Sequence, residues 1–258
     1  MDLPENRFKR ALAARRQQIG LWCTLSSGYA AEVVAGAGFD WLLFDTEHSP
    51  SDIENVLSLL QAVSAYDVSP VVRPASNDTV LIKRFLDIGA QTLLIPYVQT
   101  AEEARSAVAA IRYAPQGVRG VSSLTRATRF GRVKDYARRA AEELCLIVQI
   151  ETQLSLDNLE AIAAVEGVDG VFIGPADLAA SLGHPGDQGH PDVKGAVEDA
   201  LRRIEACGKP SGILTGDLAF AKRCIEIGTT FTAVGVDIGL LARGSEWLAG
   251  QFRTPPAA

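Results

Sequence analysis

Residues 146–178 read LIVQIETQLSLDNLEAIAAVEGVDGVFIGPADL and contain a complete strand–helix–strand unit. Both ends are apolar and rich in β-branched residues, and each stops abruptly at polar positions. The first stops at Gln149 and Glu151, the second at Gly174, Ala176 and Asp177. Between them Leu156, Leu159, Ile162, Ala163 and Val165 recur at helical spacing, and Gly167 closes the run. Two parallel strands joined by a right-handed helical crossover lie side by side with the same ends up. Glu151 and Asp177, 26 residues apart, are therefore expected to emerge together at one rim of a sheet.

The same unit repeats along the chain. Strand-like runs are expected at Gly20–Leu25, Trp41–Asp45, Pro70–Arg73, Thr92–Pro96, Leu146–Ile150, Gly170–Ile173, Ser211–Leu214 and Thr232–Val236, each followed by a helical pattern. Ser51 to Glu54 (SDIE) and Thr100 to Glu103 (TAEE) read as capping boxes that start helices. Gly38, Gly89, Gly167, Gly208 and Gly228 mark helix ends. Eight β/α units with near-continuously apolar strands imply a parallel sheet covered on both faces. The chain has 258 residues, close to the roughly 250 of a single (β/α)₈ TIM barrel, so one closed barrel over residues 1–258 is the expected α/β fold. An open doubly wound sheet is the alternative, but no G-x-G-x-x-G follows the first strand. The longest irregular stretch, Tyr113 to Phe130, reads as a lid or subunit contact on the strand-exit side.

Composition narrows the function classes. A net charge of −6 argues against nucleic acid or an anionic membrane as partner. The four cysteines (Cys23, Cys145, Cys207, Cys224) form no C-x-x-C pair and read as reduced thiols of a cytoplasmic protein. The first residues, MDLPENRFKRALAARR, lack the apolar core of a signal peptide, and no apolar run approaches the roughly 18 residues of a membrane span.

In barrel enzymes the reacting groups sit at the C-terminal ends of the strands. Those ends here carry Asp45, Glu47 and His48, then Arg73, then Gln149 and Glu151, then Gly174 to Asp177, Leu214 with Thr215, and Val236 with Asp237. Glu151 and Asp177 form an all-oxygen donor pair without Cys or His, which suits Mg²⁺, Mn²⁺ or Co²⁺ better than zinc. The competing reading makes Asp177 the N-cap of a short helix, Leu178–Leu182. His48 directly follows a strand and is the natural proton acceptor at neutral pH, whereas His184 and His190 lie in a Gly/Pro/Asp-rich loop and read as inconsequential. Arg73 ends an apolar strand, where its guanidinium could hold a substrate carboxylate or a developing enolate oxygen; an ion pair with Asp45 or Glu47 is the alternative. Asp87 sits at a helix C-terminus just before Gly89, against the helix dipole, and calls for a partner such as His48 or an arginine, unless it is simply solvated. The six lysines fall in helices or, for Lys209, before the seventh strand, so an imine-forming lysine is not expected at the rim.

With these residues in hand, the chain resembles the class II, metal-dependent pyruvate aldolases of the HpcH/HpaI type, the group that includes 4-hydroxy-2-oxoheptanedioate aldolases. The resemblance runs from about Phe8 to Phe252. It rests on Gly20 to Trp22 (GLW), Phe39 to His48 (FDWLLFDTEH), Pro70 to Pro74 (PVVRP), Gln91 to Pro96 (QTLLIP), Gln149 to Glu151 (QIE), Gly170 to Leu178 (GVFIGPADL) and Ala233 to Asp237 (AVGVD). It implies cleavage of a 4-hydroxy-2-oxoacid to pyruvate and an aldehyde, with a divalent metal on Glu151 and Asp177. By the same resemblance His48 accepts the proton, Arg73 stabilises the transition state, and an acid like Asp87 raises the basicity of the histidine. Asp45 joins the catalytic set, and Gln149, Gly174, Ala176 and Asp177, with Trp22 and Leu214, contact substrate. A homohexamer is implied, with the last helix against a neighbouring subunit. Departures are Thr46, where Gly is common, and Leu124 to Arg129 (LTRATR) in the long loop; both bear on the choice of aldehyde. Rival readings with the same fold are a sugar-acid or hydroxypyruvate-using aldolase, and a citramalyl- or malyl-CoA-type lyase with Arg119, Arg126, Arg129 and Arg132 as a nucleotide groove. A non-catalytic binding protein is a further alternative.

Overall fold

The computed structural model describes residues 1–253, so residues 254–258 of the expected 1–258 unit lie outside the described residues. Eight parallel strands close into a barrel in sequence order: β1 (Gln18–Cys23), β2 (Trp41–Asp45), β3 (Ser69–Arg73), β4 (Thr92–Ile95), β5 (Cys145–Ile150), β6 (Gly170–Ile173), β7 (Ser211–Leu214) and β8 (Phe231–Val236). The expected strands are all present, with ends shifted by up to two residues. The largest shift is at β1, which starts at Gln18 because Gln18 pairs with Phe231 of β8.

The helices are α1 (Arg7–Ala13), α2 (Gly28–Ala35), α3 (Ile53–Ala62), α4 (Thr79–Asp87), α5 (Ala101–Ile111), α6 (Tyr136–Glu143), α7 (Gln153–Asp157), α8 (Leu159–Ala163), α9 (Pro175–Ser181), α10 (Pro191–Ala206), α11 (Leu218–Ile227) and α12 (Asp237–Gly250). None of those described is long and apolar enough to cross a membrane. Thr100 and Glu103 form the expected capping box at α5. At α3 the expected box is displaced by one residue: Asp52, not Ser51, is the N-cap, with Asn55 as its reciprocal partner. The single helix expected between β5 and β6 is broken at Asn158 into α7 and α8. All five glycines expected at helix ends take positive φ.

Two apolar layers result. One lies between the barrel and its helices; the other fills the barrel. The inner layer is aromatic at the strand-entry end, where Phe8 of α1 inserts with its ring 5.6 Å from Trp41 and 5.8 Å from Phe231. Space for those rings comes from glycine: a Cβ on Gly20 would enter the Trp41 ring, and one on Gly212 the Phe231 ring. Asn6 anchors α1 there, capping the Lys9 N–H and donating to Thr92 Oγ1 at 2.9 Å. One end of the barrel is thereby plugged, and the opposite rim is left to carry polar groups.

The long stretch 113–135 corrects an expectation. It follows α5 and precedes α6 and β5, so it lies on the strand-entry side rather than the strand-exit side. Arg126 donates to the Ile88 carbonyl, the Ala127 N–H donates to the Asp87 carbonyl, and Arg119 pairs with Asp87, all at the C-terminal end of α4. It cannot cover this chain's own strand-exit rim.

Candidate active site

A cleft of about 320 Å³ opens at the C-terminal rim of the barrel. Nine of the expected site residues line it: Trp22, His48, Arg73, Gln149, Glu151, Gly174, Ala176, Asp177 and Leu214. Their convergence follows from strand register. Asp45 pairs with Arg73 across β2 and β3, and Ile150 pairs with Ile173 across β5 and β6, so Glu151 and Gly174 leave the sheet side by side. The Gly174 N–H donates to the Ile150 carbonyl at 3.0 Å, continuing the ladder. Gly174 has no room for a side chain, because a Cβ would collide with Glu151 Oε2 and lie 3.0 Å from Gln149 Nε2.

Arg73 is held from below. Its Nε donates to Asp45 Oδ1 at 2.8 Å and its Nη2 to Asp45 Oδ2 at 2.7 Å, a bidentate fork. Nη1 lies 2.8 Å from Glu47 Oε2, in charge contact but without hydrogen-bond alignment. The guanidinium carbon sits 4.9 Å from the Trp22 ring centre, so the cation also rests over an aromatic face. The ion pair posed as an alternative role for Arg73 is therefore real. It coexists with the cleft-facing role, since Arg73 lines the cavity while Asp45 is sealed beneath it, 1% exposed. Burial pushes the Asp45 carboxyl up, but the fork to Arg73 outweighs that and holds it below the usual value. Asp45 is thus an anionic clamp rather than a proton acceptor.

Glu151 is 2% exposed and its carboxylate is tied at both oxygens: the Tyr97 N–H donates to Oε1 at 2.8 Å, and Gln149 Nε2 donates to Oε2. Even so, burial raises its pKa to about 7; the two donors pull down, while Glu47 and Asp177 push up. Glu47 is raised as well, by burial first, with Arg73 opposing and Asp45 and Asp177 adding to the rise. The acids therefore crowd one another with Arg73 as the cation among them.

Asp177 lies in the first turn of α9, exposed to the cleft. The helix begins at Pro175 with Gly174 as N-cap, so the N-cap role posed for Asp177 and the helix start at Leu178 are both corrected. Proline at the first helical position favours that earlier start. The donor set fits a hard divalent cation on an observation independent of any family: two carboxylates from adjacent strand ends face one cavity, and Gln149 Oε1 beside them is buried without a hydrogen-bond partner.

His48 stands at the mouth, its side chain 64% exposed, with Nε2 3.9 Å from Glu47 Oε2. Asp87 is the expected site residue that the chain does not bring to His48. It ends α4 on the strand-entry side and accepts from Arg119 Nη2 at 3.0 Å, the arginine partner being the one realised. Arg119 is itself fully buried, over Tyr113 at 4.6 Å. The arginines considered as a nucleotide groove share that face: Arg119 is spent on Asp87 and Arg126 on the Ile88 carbonyl, away from the cleft. Asp237 at the end of β8 braces the loop after β1 through the N–H groups of Thr24 and Leu25.

Two contributors escaped sequence reasoning: Tyr97 as a backbone donor with positive φ, and Gln188, which reaches the cleft from the α9–α10 loop. Neither carried a local signal, whereas Glu47, posed with Asp45 as a partner of Arg73, meets it together with Asp45. No lysine lines the cleft among the described residues.

Residues 18–244 match the family model for HpcH/HpaI aldolase/citrate lyase. The chain is 72% identical to a pyruvate aldolase of Rhizobium etli, over 98% of this chain and 100% of that protein. It is 59% identical to a hydroxypyruvate/pyruvate aldolase of Deinococcus radiodurans (98% and 92% covered). It is 56% identical to a 4-hydroxy-2-oxo-heptane-1,7-dioate aldolase of Salmonella dublin (96% and 95%). The crystal structure of an HpcH/HpaI aldolase/citrate lyase family protein from Burkholderia cenocepacia superposes with a TM-score of 0.91 at 41% identity, covering 96% of this chain and all of that one. The chain belongs to the HpcH/HpaI aldolase/citrate lyase family and is a carbon–carbon lyase of the pyruvate aldolase kind.

Proposed function

We propose that this HpcH/HpaI-family lyase catalyses the reversible, metal-dependent aldol cleavage of a 4-hydroxy-2-oxoacid, with 4-hydroxy-2-oxoheptanedioate giving pyruvate and succinic semialdehyde as the leading case. The observation that carries the reading is the meeting of Glu151, Asp177, Arg73 and His48 around one lysine-free cleft. A cleavage that leaves negative charge on the 2-oxoacid must stabilise that charge, and without a lysine an imine cannot do so. Glu151 and Asp177 would hold a divalent cation (Mg²⁺, Mn²⁺ or Co²⁺), which when bound supplies Lewis-acid stabilisation of that charge.

The remaining work falls to the chain. Arg73 presents the face of its guanidinium not committed to Asp45 to the developing oxyanion, preorganised by the fork and by Trp22. Gln149, anchored through Nε2 to Glu151, keeps Oε1 free to orient a substrate hydroxyl. His48, in the open mouth, takes the C4 hydroxyl proton as the C3–C4 bond breaks, and a proton delivered through water to C3 of the enolate completes pyruvate; in the synthetic direction His48 returns its proton to the C4 oxygen. Trp22 and Leu214 give the cleft an apolar floor and wall that limit water around the charged carbon frame.

The relatives' names divide between pyruvate and hydroxypyruvate as donor, so hydroxypyruvate is the second reading, chosen by what surrounds the donor's methyl carbon. Assembly as a homohexamer through α12 is part of the same proposal; Leu240, Leu241, Trp247 and Leu248 expose apolar surface along that helix. The test is pyruvate release from 4-hydroxy-2-oxoacids by metal-stripped protein, with and without added Mg²⁺, Mn²⁺ or Co²⁺, run beside hydroxypyruvate as donor in synthesis. Release that depends on metal is expected. Full activity in excess EDTA would remove the cation from the reading.

A further inference from the structure

A second cluster of metal-ligating side chains lies outside the rim. The loop between α9 and α10 brings His184, His190 and Asp192 together, with one ligand atom from each lying within 4.8 Å of the others. His184 Nε2 is 3.5 Å and His190 Nδ1 3.7 Å from Asp192 Oδ2. Donors bound at about 2.0–2.2 Å in a tetrahedron sit about 3.4 Å from one another, so each histidine stands at close to ligation distance from Asp192. The two imidazole rings stack with centroids 3.6 Å apart and planes 15° from parallel, so a turn of one ring is what would bring both in-plane lone pairs onto a common ion. His190 Nδ1 accepts the Asp192 N–H at 3.3 Å, so a metal at that nitrogen would take the place of this long hydrogen bond.

The backbone holds the three in place without a ligand. His184 N–H donates to the Ala179 carbonyl, Asp187 N–H to the His184 carbonyl and His190 N–H to the Asp187 carbonyl, with Gly183 and Gly186 taking the positive φ these turns need. Asp192 is fixed by α10 itself. Two imidazoles and one carboxylate are a borderline donor set, suited to Zn²⁺, Co²⁺ or Ni²⁺, and distinct from the all-oxygen rim. The histidine side chains are only 27% and 33% exposed, whereas Asp192 faces solvent, which leaves a path for an ion and a position for water.

We propose that His184, His190 and Asp192 form a second divalent-metal site, taking Zn²⁺ or a similar transition-metal ion with water as the fourth ligand. Occupancy would fix both ends of the loop 184–190, whose Gln188 lines the rim cleft. The site stands on its own geometry and does not depend on the reaction assigned to the rim.

The test is Zn²⁺ stoichiometry by equilibrium dialysis, in a chain whose rim carboxylates are replaced (E151Q with D177N), with and without His184→Asn or His190→Asn. Asn at 190 keeps an N-cap for α10, so loss of binding there is not loss of the helix start. One Zn²⁺ per chain is expected, weakened by at least about 100-fold in either loop variant, since even an outer-shell partner of a ligand is worth about 10–100-fold. Absence of Zn²⁺ binding, or binding that survives both histidine changes, overturns the proposal. Should the rim variant fail to fold, Co²⁺ added to the wild-type chain with Mg²⁺ in excess gives a second readout. An intense visible absorption that H184N abolishes supports the site, and a spectrum unchanged by H184N overturns it.

Discussion

Replacing Asp45 by Asn keeps the shape of the side chain and removes its charge from under Arg73. In the folded chain Arg73 and Asp45 are both nearly out of contact with water, and two donors of the guanidinium end on the two carboxylate oxygens. Asn offers one acceptor where two are needed, and its amide group faces a donor. Breaking a buried pair by removing one partner costs about 3–5 kcal/mol. Glu47 remains 2.8 Å from Nη1, so the lower end, about 3 kcal/mol, applies. For a chain of this size each kcal/mol moves Tm by about 2–4 °C, so D45N is expected to melt about 6–12 °C lower near pH 7. The Asp45 pKa is depressed in the fold, so the stability it contributes is present above its unfolded value, about 4, and disappears as pH falls through the lower folded value. The gap between wild type and D45N should therefore be constant around neutrality and close in acid. Thermal denaturation followed by circular dichroism, at matched protein concentration across that pH range, measures both. A gap under about 2 °C at neutral pH, or one that persists unchanged in strong acid, would refute the clamp.

Gly174→Ala puts a methyl where Glu151 Oε2 now lies, and is expected to weaken Mn²⁺ binding by about 10–100-fold while the fold persists; an affinity equal to wild type by calorimetry would show that Glu151 does not hold the cation. His48→Ala should lower kcat for pyruvate release by about 10²–10⁴-fold. Because that side chain is mostly exposed, its stability should stay within about 0.5 kcal/mol, and a large stability loss with little kinetic effect would make His48 structural. Gly212→Ala drives a Cβ into the Phe231 ring inside the barrel, so it should destabilise by about 1–3 kcal/mol or more in urea with no specific effect on KM; a neutral variant would mean the inner layer is looser than described.

Local pattern carries far in this chain. Apolar β-branched runs stopping at polar residues mark the eight strands, because a parallel strand buried on both faces must be apolar until it reaches the rim. The same rule places Arg73, Glu151 and Asp177 at that rim, since Arg73 ends such a run, Glu151 directly follows one and Asp177 lies in the first helical turn after another. What local pattern cannot supply is which end of the barrel a distant loop occupies and which charge meets which. The stretch 113–135 follows a helix, so it lies at the strand-entry face, and its length says nothing of that. Asp87 therefore meets Arg119 there and is kept from His48. The fork between Arg73 and Asp45 depends on β2 and β3 pairing in one register, since a one-residue slip of either strand would turn its side chain to the other face. His184 and His190, unremarkable in a Gly- and Pro-rich loop, stack only because two tight turns and the start of α10 bring them together. Periodicity is a property of neighbours along the chain and is written in the residues themselves; pairing of charges and ligands is a property of neighbours in space, and only the closed barrel with its loops folded back defines it.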